Sequence, residues 1–143
     1  MVSILQQQHL RSLGNQLFQY AAGKCLAMQL KTEIQLDISQ LLVKQLRKFE
    51  LEYFNVPVQV ATTKEIRQFL FFPSLYRHHP PLFSKLGKNI YLEPGYHFDE
   101  HFLKLKDPVY LDGYWQSEKY FQDIKDLRHL QKRIRLATTE EEL

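Results

Sequence analysis

Two neighbouring segments with different apolar periodicities constrain the fold of this chain most strongly. From residue 15 to residue 30, apolar side chains recur at helical spacing and form a broad stripe, which predicts a helix packed on a sheet. Residues 34 to 38 then alternate between apolar and polar side chains, as in a strand with one covered face, and Asp37 falls near its end. A helix followed closely by a strand is the repeating unit of α/β proteins, so we expect an α/β fold.

Weaker signals continue this alternation along the chain. Thr62 with Glu65 three positions later is a helix-capping pattern, and it predicts a helix running to Phe72. Short apolar runs predict further strands at residues 2–5, 49–53, 90–92 and 109–111. The sequence therefore predicts a Rossmann-like open sheet with helices on both faces.

Two segments are expected to depart from regular alternation. Residues 73 to 89 include Pro80-Pro81 and lack a clear period, so we predict an exposed loop there. Ser117 is expected to cap a helix whose apolar face begins at Tyr120. A further cap pattern at residues 138–141 has almost no helix after it, as expected of a chain cut inside a larger architecture.

Size and composition exclude several classes of protein. The 143 residues, 44% of them hydrophobic, are enough for one domain with its own core. A net charge of +3 is too mild to indicate a nucleic-acid partner, although a small basic nucleic-acid-binding protein stays open as an alternative. A lone Cys25 excludes an internal disulfide.

With no signal peptide and no apolar run near the roughly 20 residues of a membrane span, we expect a cytoplasmic protein. The basic aromatic cluster at residues 76–79 could contact an acceptor glycan or an acidic lipid headgroup at a membrane surface, although a solvated loop also accounts for it.

The strongest local motif is the run from Leu13 to Ala21, in which Gly14, Asn15 and Gln16 open an apolar helix. A glycine lets backbone approach a ligand closely, and the N–H groups of a first helical turn favour an anion such as a diphosphate. The same residues also suit a plain helix cap, so the pattern alone leaves both interpretations open.

This run resembles the N-terminal signature of glycosyltransferase family 11, the α-1,2-fucosyltransferases. Members of that family typically read Gly-Gly-Leu-Gly-Asn-Gln, then Met or Leu, then Phe-Gln-Tyr-Ala. The tract from Gly113 to Phe121 is similar to one that the family carries shortly before its sugar-nucleotide motif. The short matches at residues 36–37 and 49–51 also follow each other in the order and spacing expected of the family. Two differences are present: Arg11-Ser12 stands in place of the two glycines, and no His-x-Arg-Arg-x-Asp sequence occurs in the chain.

The resemblance implies the N-terminal, acceptor-side domain of a two-domain GT-B enzyme over residues 1–143, without its C-terminal nucleotide-binding domain. Such an enzyme transfers L-fucose from GDP-β-L-fucose to the 2-hydroxyl of a galactoside, with inversion and without a metal ion. The family's Gly-Asn-Gln tract lines the donor cleft, which implies diphosphate contacts for Gly14, Asn15 and Gln16. Because the His-x-Arg-Arg-x-Asp motif is absent, we expect an incomplete or inactive protein. The alternative is a glycan-binding or regulatory module that has lost catalysis.

The chain offers other chemically capable residues without singling out a catalytic base. Four carboxylates are candidates, but each also suits a strand end, a turn or a cap: Asp37, Asp99, Asp112 and Glu118. His97 and His101 are four apart and would share a face of a helix, yet Gly95 just before them disfavours one and no third ligand is evident. We therefore predict no metal site.

Overall fold

The structure is a computed structural model that describes residues 4–7, 13–39, 59–95 and 97–121. Four strands form its centre: β1 (Ile4–Gln7), β2 (Ile34–Asp37), β3 (Ile90–Leu92) and β4 (Val109–Asp112). Its α-helices are α1 (Leu13–Gln29), α2 (Thr63–Arg67), α3 (Pro73–His78) and α4 (Pro80–Phe83). Three 3₁₀ helices cover Ser84–Leu86, Glu100–Lys104 and Glu118–Tyr120.

The strands form one open sheet in the order β2-β1-β4-β3, and every pairing is parallel. Ile4 of β1 is in register with Ile34 of β2 and with Val109 of β4. On the outer side of β2, Val60 makes an isolated parallel bridge to Leu36. The predicted α/β fold is confirmed as a mixed structure with a small open parallel sheet.

The two faces of the sheet are covered by different parts of the chain. On one face α1 packs against Ile34, Leu36 and Leu111, and its small residues Ala21 and Ala22 are fully buried. On the other face a second cluster surrounds Tyr110, with members from α2, α3 and the segment between them: Ile66, Phe69, Leu70 and Tyr76. The side chains of β4 therefore alternate between two cores, as a strand buried on both faces requires.

The connections between consecutive parallel strands share one hand, because those that run in opposite senses pack on opposite faces of the sheet. The step from β1 to β2 runs through α1 on one face. The step from β3 to β4 has the same sense, and its residues Phe98, Phe102 and Leu105 pack in the α1 core. The connection from β2 to β3 runs in the opposite sense. Its described part packs on the other face of the sheet.

Most predicted elements are present, with shifted boundaries. The helix expected at 15–30 begins two residues earlier, at Leu13, and the first strand occupies Ile4–Gln7 instead of 2–5. The capping box predicted for Thr62 and Glu65 is confirmed. The predicted strand at 49–53, most of the helix after Ser117 and the cap pattern at 138–141 lie outside the described residues.

Two predictions about residues 63 to 89 are wrong. The helix capped by Thr62 ends at Arg67 and does not reach Phe72, whose backbone is not helical because a following proline disfavours the helical region. The segment predicted to be a loop contains α3, α4 and a 3₁₀ helix. Pro73 and Pro80 are the first residues of α3 and α4, where a proline is well tolerated. Among the described residues, no helix is both long and apolar enough to cross a membrane.

Candidate functional site

The candidate site lies at the carboxyl edge, which we define as the side of the sheet where all four strands end. Because β1 and β2 are parallel and α1 connects them, α1 begins at this edge. Gly14 and Asn15 lie in its first turn and Gln16 follows, so the structure places the three predicted diphosphate-binding residues at the carboxyl edge. The first N–H groups of a helix have no acceptor within the helix and carry its partial positive charge.

A buried hydrogen bond joins the second turn of α1 to the residue that follows β4. Gln19 is fully buried, and its Nε2 donates to the carbonyl oxygen of Gly113 over 3.0 Å. Nearby, the rings of Phe18 and Phe121 pack with centroids 5.9 Å apart. Gln19 and Gly113 are 94 positions apart, and they belong to the two runs that resemble the glycosyltransferase family. These two runs are therefore in direct contact.

The loop after β4 is held in an unusual backbone conformation by Glu93, which follows β3. The two carboxylate oxygens of Glu93 accept from the N–H groups of Tyr114 (3.3 Å) and Trp115 (2.9 Å). Trp115 has a φ of 53°, in the left-handed region that bulky residues rarely adopt. Its ring is fully buried, stacks on Tyr91 and packs against Phe102. The carboxylate and the aromatic packing together hold the loop in this strained conformation.

Two aspartates end the strands β2 and β4, which flank β1, and both are almost completely buried. Asp37, at the end of β2, accepts a 2.6 Å hydrogen bond from the hydroxyl of Tyr110, and Asp112, at the end of β4, accepts one of 2.5 Å from Tyr76. Only 1% of Asp37 and 2% of Asp112 is exposed. The tyrosine rings pack edge to face, so both carboxylates belong to one buried polar cluster.

Arg77 and Ser39 complete this cluster around Asp37. Arg77 Nη2 lies 3.9 Å from Asp37 Oδ2 and also donates to the hydroxyl of Ser39. The Ser39 backbone N–H donates to Asp37 Oδ1 over 3.0 Å, and its hydroxyl donates to the same oxygen. A buried carboxylate needs such donors, because burial of an unpaired charge is costly.

The tyrosines of the cluster stay protonated well above neutral pH. Burial raises the pKa of Tyr110 well above its ordinary value of 10.0, and the neighbouring Asp37 and Asp112 raise it further. The pKa of Tyr76 is raised in the same direction, first by burial and then by Asp112. Both hydroxyls can therefore act as donors to the carboxylates, and the arrangement stabilises this edge without opening either carboxylate to a substrate.

The other residues predicted as candidates lie outside this cluster, and of them Asp99 is half-buried. Asp99 caps the 3₁₀ helix Glu100–Lys104 and lies 3.0 Å from Nδ1 of His101, while Glu118 is exposed. His97 lies before that 3₁₀ helix, so the two histidines do not share a helical face. In the described part of the chain, no group of three or more His, Cys, Asp and Glu could hold a metal ion.

Three residues of the candidate site were not predicted from the sequence as site residues: Glu93, Tyr76 and Tyr110. Tyr110 had a usable signal, because it lies two residues before Asp112 on a strand and must share its face. Glu93 and Tyr76 had none, since their partners are distant in sequence and depend on the strand order.

The fold and the carboxyl edge define an α/β protein with an open parallel sheet and a helix beginning beside the strand ends. Comparison with protein families, with curated proteins and with solved structures finds no match to this chain.

Proposed function

We propose that the chain is the N-terminal, acceptor-side part of an α-1,2-fucosyltransferase-like protein of the GT-B kind. In this proposal Gly14 and Asn15 contact the diphosphate of GDP-β-L-fucose, and Gln16, whose side chain is fully buried, can contribute only its backbone N–H. The observation that carries it is the hydrogen bond from Gln19 to Gly113 at the carboxyl edge. The two motifs that resemble the family are far apart in sequence, and a shared site is the simplest reason for both to meet where a ligand would bind.

The position of α1 supports an anionic ligand. In open parallel sheets, ligands bind beyond the carboxyl ends of the strands, where the strand order reverses. Here β1 lies between β2 and β4. The chain places β2 on one side of β1 first and later places β4 on the other side, so the strand order reverses at β1. The first turn of α1 faces this edge, and its N–H groups and dipole favour a diphosphate.

Binding by these residues does not amount to efficient transfer. As the glycosidic bond of the donor breaks, negative charge accumulates on the leaving diphosphate, and fixed cations that stabilise this charge lower the barrier. In the family that the chain resembles, the arginines of the His-x-Arg-Arg-x-Asp motif supply those cations. The 143 residues contain no such sequence, so we expect donor contact with very weak or no fucose transfer to a galactoside.

Calorimetric titration of GDP-β-L-fucose into the 143-residue protein tests the proposed contact. The wild-type protein should bind, and Asn15→Ala should bind about tenfold or more weakly, the loss expected for a hydrogen bond to a charged group. Gln29→Ala is the matched control, since Gln29 is an exposed amide at the opposite end of α1. Equal affinity of the wild type and Asn15→Ala would remove Asn15 from the site, and absence of binding would refute the donor contact.

A non-catalytic glycan-binding module is the second candidate. It is favoured by the burial of Asp37 and Asp112, which leaves neither of these two carboxylates open to act as a base. Calorimetry with galactosides in place of GDP-fucose separates the two proposals. Glycan binding without binding or consumption of GDP-fucose would favour the module, whereas donor binding that depends on Asn15 would favour the fucosyltransferase-like protein.

A further inference from the structure

A cluster of exposed apolar side chains lies on the face of the sheet opposite α1. We call it the apolar patch and define it by five residues of the segment from α2 to the 3₁₀ helix Ser84–Leu86: Phe71, Phe72, Leu75, Leu82 and Leu86. Each is between 45% and 61% exposed. Scattered apolar residues are normal on a protein surface, but five large ones within 16 positions require an explanation.

The patch is held in place by buried neighbours. Phe69, Leu70 and Tyr76, which alternate with the exposed residues along the chain, are at most 3% exposed and pack around Tyr110. The exposure of Phe71 and Phe72 therefore follows from a fixed backbone whose other side chains form the core.

Among the described residues, the hollow that the patch surrounds is shallow. Phe71, Phe72 and Leu86 surround a hollow whose floor includes Leu70 and Ile90, and whose volume is about 10 Å³. That volume holds about one water molecule and no side chain. Protein interfaces anchor large side chains in pockets, whereas a lipid surface accepts protruding apolar side chains and needs no pocket.

The stretch of sequence that carries the patch has charged residues of one sign and is flanked by Glu65 and Glu93. From Ile66 to Leu92 the sequence contains four Lys or Arg and no Asp or Glu. Arg77 pairs with Asp37, but Arg67, Lys85 and Lys88 are exposed. Cations beside a protruding apolar surface attract a surface of anionic lipids.

We propose that the apolar patch docks this protein on a bilayer containing anionic phospholipids. Phe71, Phe72 and Leu82 enter the boundary between headgroups and acyl chains, while Lys85 and Lys88 contact lipid phosphates and carboxylates. The docking is independent of the proposed sugar transfer, because the patch and the start of α1 lie on opposite faces of the sheet.

Co-sedimentation with phosphatidylcholine vesicles, with and without phosphatidylserine, tests the docking on the 143-residue protein. The wild type should sediment with the anionic vesicles and less so at high salt. Phe71→Ser combined with Phe72→Ser, and separately Lys85→Glu combined with Lys88→Glu, should each weaken binding about tenfold or more. The control variants Leu103→Ser and Lys104→Glu with Lys106→Glu change exposed residues on the α1 side and should bind like the wild type.

Three results would overturn the proposal. The first is no binding to either vesicle by a wild-type protein whose circular dichroism shows that it is folded. The second is equal weakening by the patch variants and the control variants. The third is a wild-type dimer in analytical ultracentrifugation that Phe71→Ser with Phe72→Ser converts to a monomer without any vesicle binding, because the patch would then be an interface between two copies.

Discussion

Tyr76 donates a 2.5 Å hydrogen bond to Asp112, and through it α3 is tied to the end of β4. The two residues are 36 positions apart, and both are at most 2% exposed. Tyr110 makes the equivalent bond to Asp37 at the end of β2, so two tyrosine–aspartate pairs hold the carboxyl edge. The rings of the two tyrosines are in contact with each other.

Tyr76→Phe should lower the free energy of unfolding by about 1–3 kcal/mol, the cost of removing one partner of a buried hydrogen bond to a charged group. Urea denaturation followed by circular dichroism measures this change. Tyr91→Phe is the matched control, because the ring of Tyr91 also packs against a core and stacks on Trp115, while the described residues provide no hydrogen-bond partner for its hydroxyl. Equal destabilisation by both variants would show that the bond to Asp112 has no special role.

The raised pKa values of Tyr76 and Tyr110 predict a loss of stability in alkali. Below pH 10 both tyrosines are protonated in the folded and unfolded states, and their contribution is fully present. As the pH rises above 10, the unfolded tyrosines ionise while the folded ones stay protonated. Each such tyrosine then lowers the free energy of unfolding with a slope that approaches about 1.4 kcal/mol per pH unit as its unfolded form becomes fully ionised. Urea denaturation between pH 9 and about pH 11 measures the slope.

The slope should be smaller in Tyr76→Phe, because one of the shifted groups is gone. Lysines also titrate in this range, but they are the same in both proteins and drop out of the difference. An unchanged slope in the variant would contradict the raised pKa of Tyr76.

Gly113→Ala should destabilise the protein by about 1–3 kcal/mol through overpacking. An added Cβ would lie 2.5 Å from Cβ of Glu93 and 2.9 Å from the ring of Trp115, both of which are held by other contacts. Gly95→Ala is the control, because an added Cβ there meets nothing within 4 Å. Thermal unfolding compares the two variants. If both unfolded at the wild-type temperature, the loop after β4 would be less closely packed than described.

Glu93→Gln should loosen the loop after β4. Glutamine has one carbonyl oxygen, so it can accept well from only one of the N–H groups of Tyr114 and Trp115 that the carboxylate now serves. We expect a loss of about 1 kcal/mol in stability. Trp115 is the only tryptophan, so its fluorescence reports directly on this loop and should shift to longer wavelength as the ring becomes exposed. An unchanged spectrum and stability would show that packing alone holds the loop.

The sequence predicted the elements with a strong local pattern. Helix α1 and strand β2 could be predicted because their apolar residues follow clear periods, and Thr62 could be assigned as a cap because its partner Glu65 is three residues away. The short helices α3 and α4 were missed, since each contains too few residues to show a period. Their prolines, interpreted as loop signals, in fact begin the helices.

The polar contacts of the candidate site could be predicted only in part. The Gly14 to Gln16 run could be found, because its residues are consecutive and open a helix. The pairing of Asp112 with Tyr76 could not, since it requires knowing that the β2 to β3 connection passes on the face toward which Asp112 points. For the same reason, Asp37 and Asp112 could not be distinguished in advance from carboxylates such as Glu118, which is exposed.

Backbone amide spectra of the ¹⁵N-labelled protein during titration with GDP-β-L-fucose test the central claim most directly. The donor should shift the amide resonances of residues 13–16 and of the adjoining loop 113–115, and should leave those at the opposite edge of the sheet, such as Asn89 and Val109, unchanged. A titration that shifts only residues away from the start of α1, or none at all, would contradict the proposed diphosphate site.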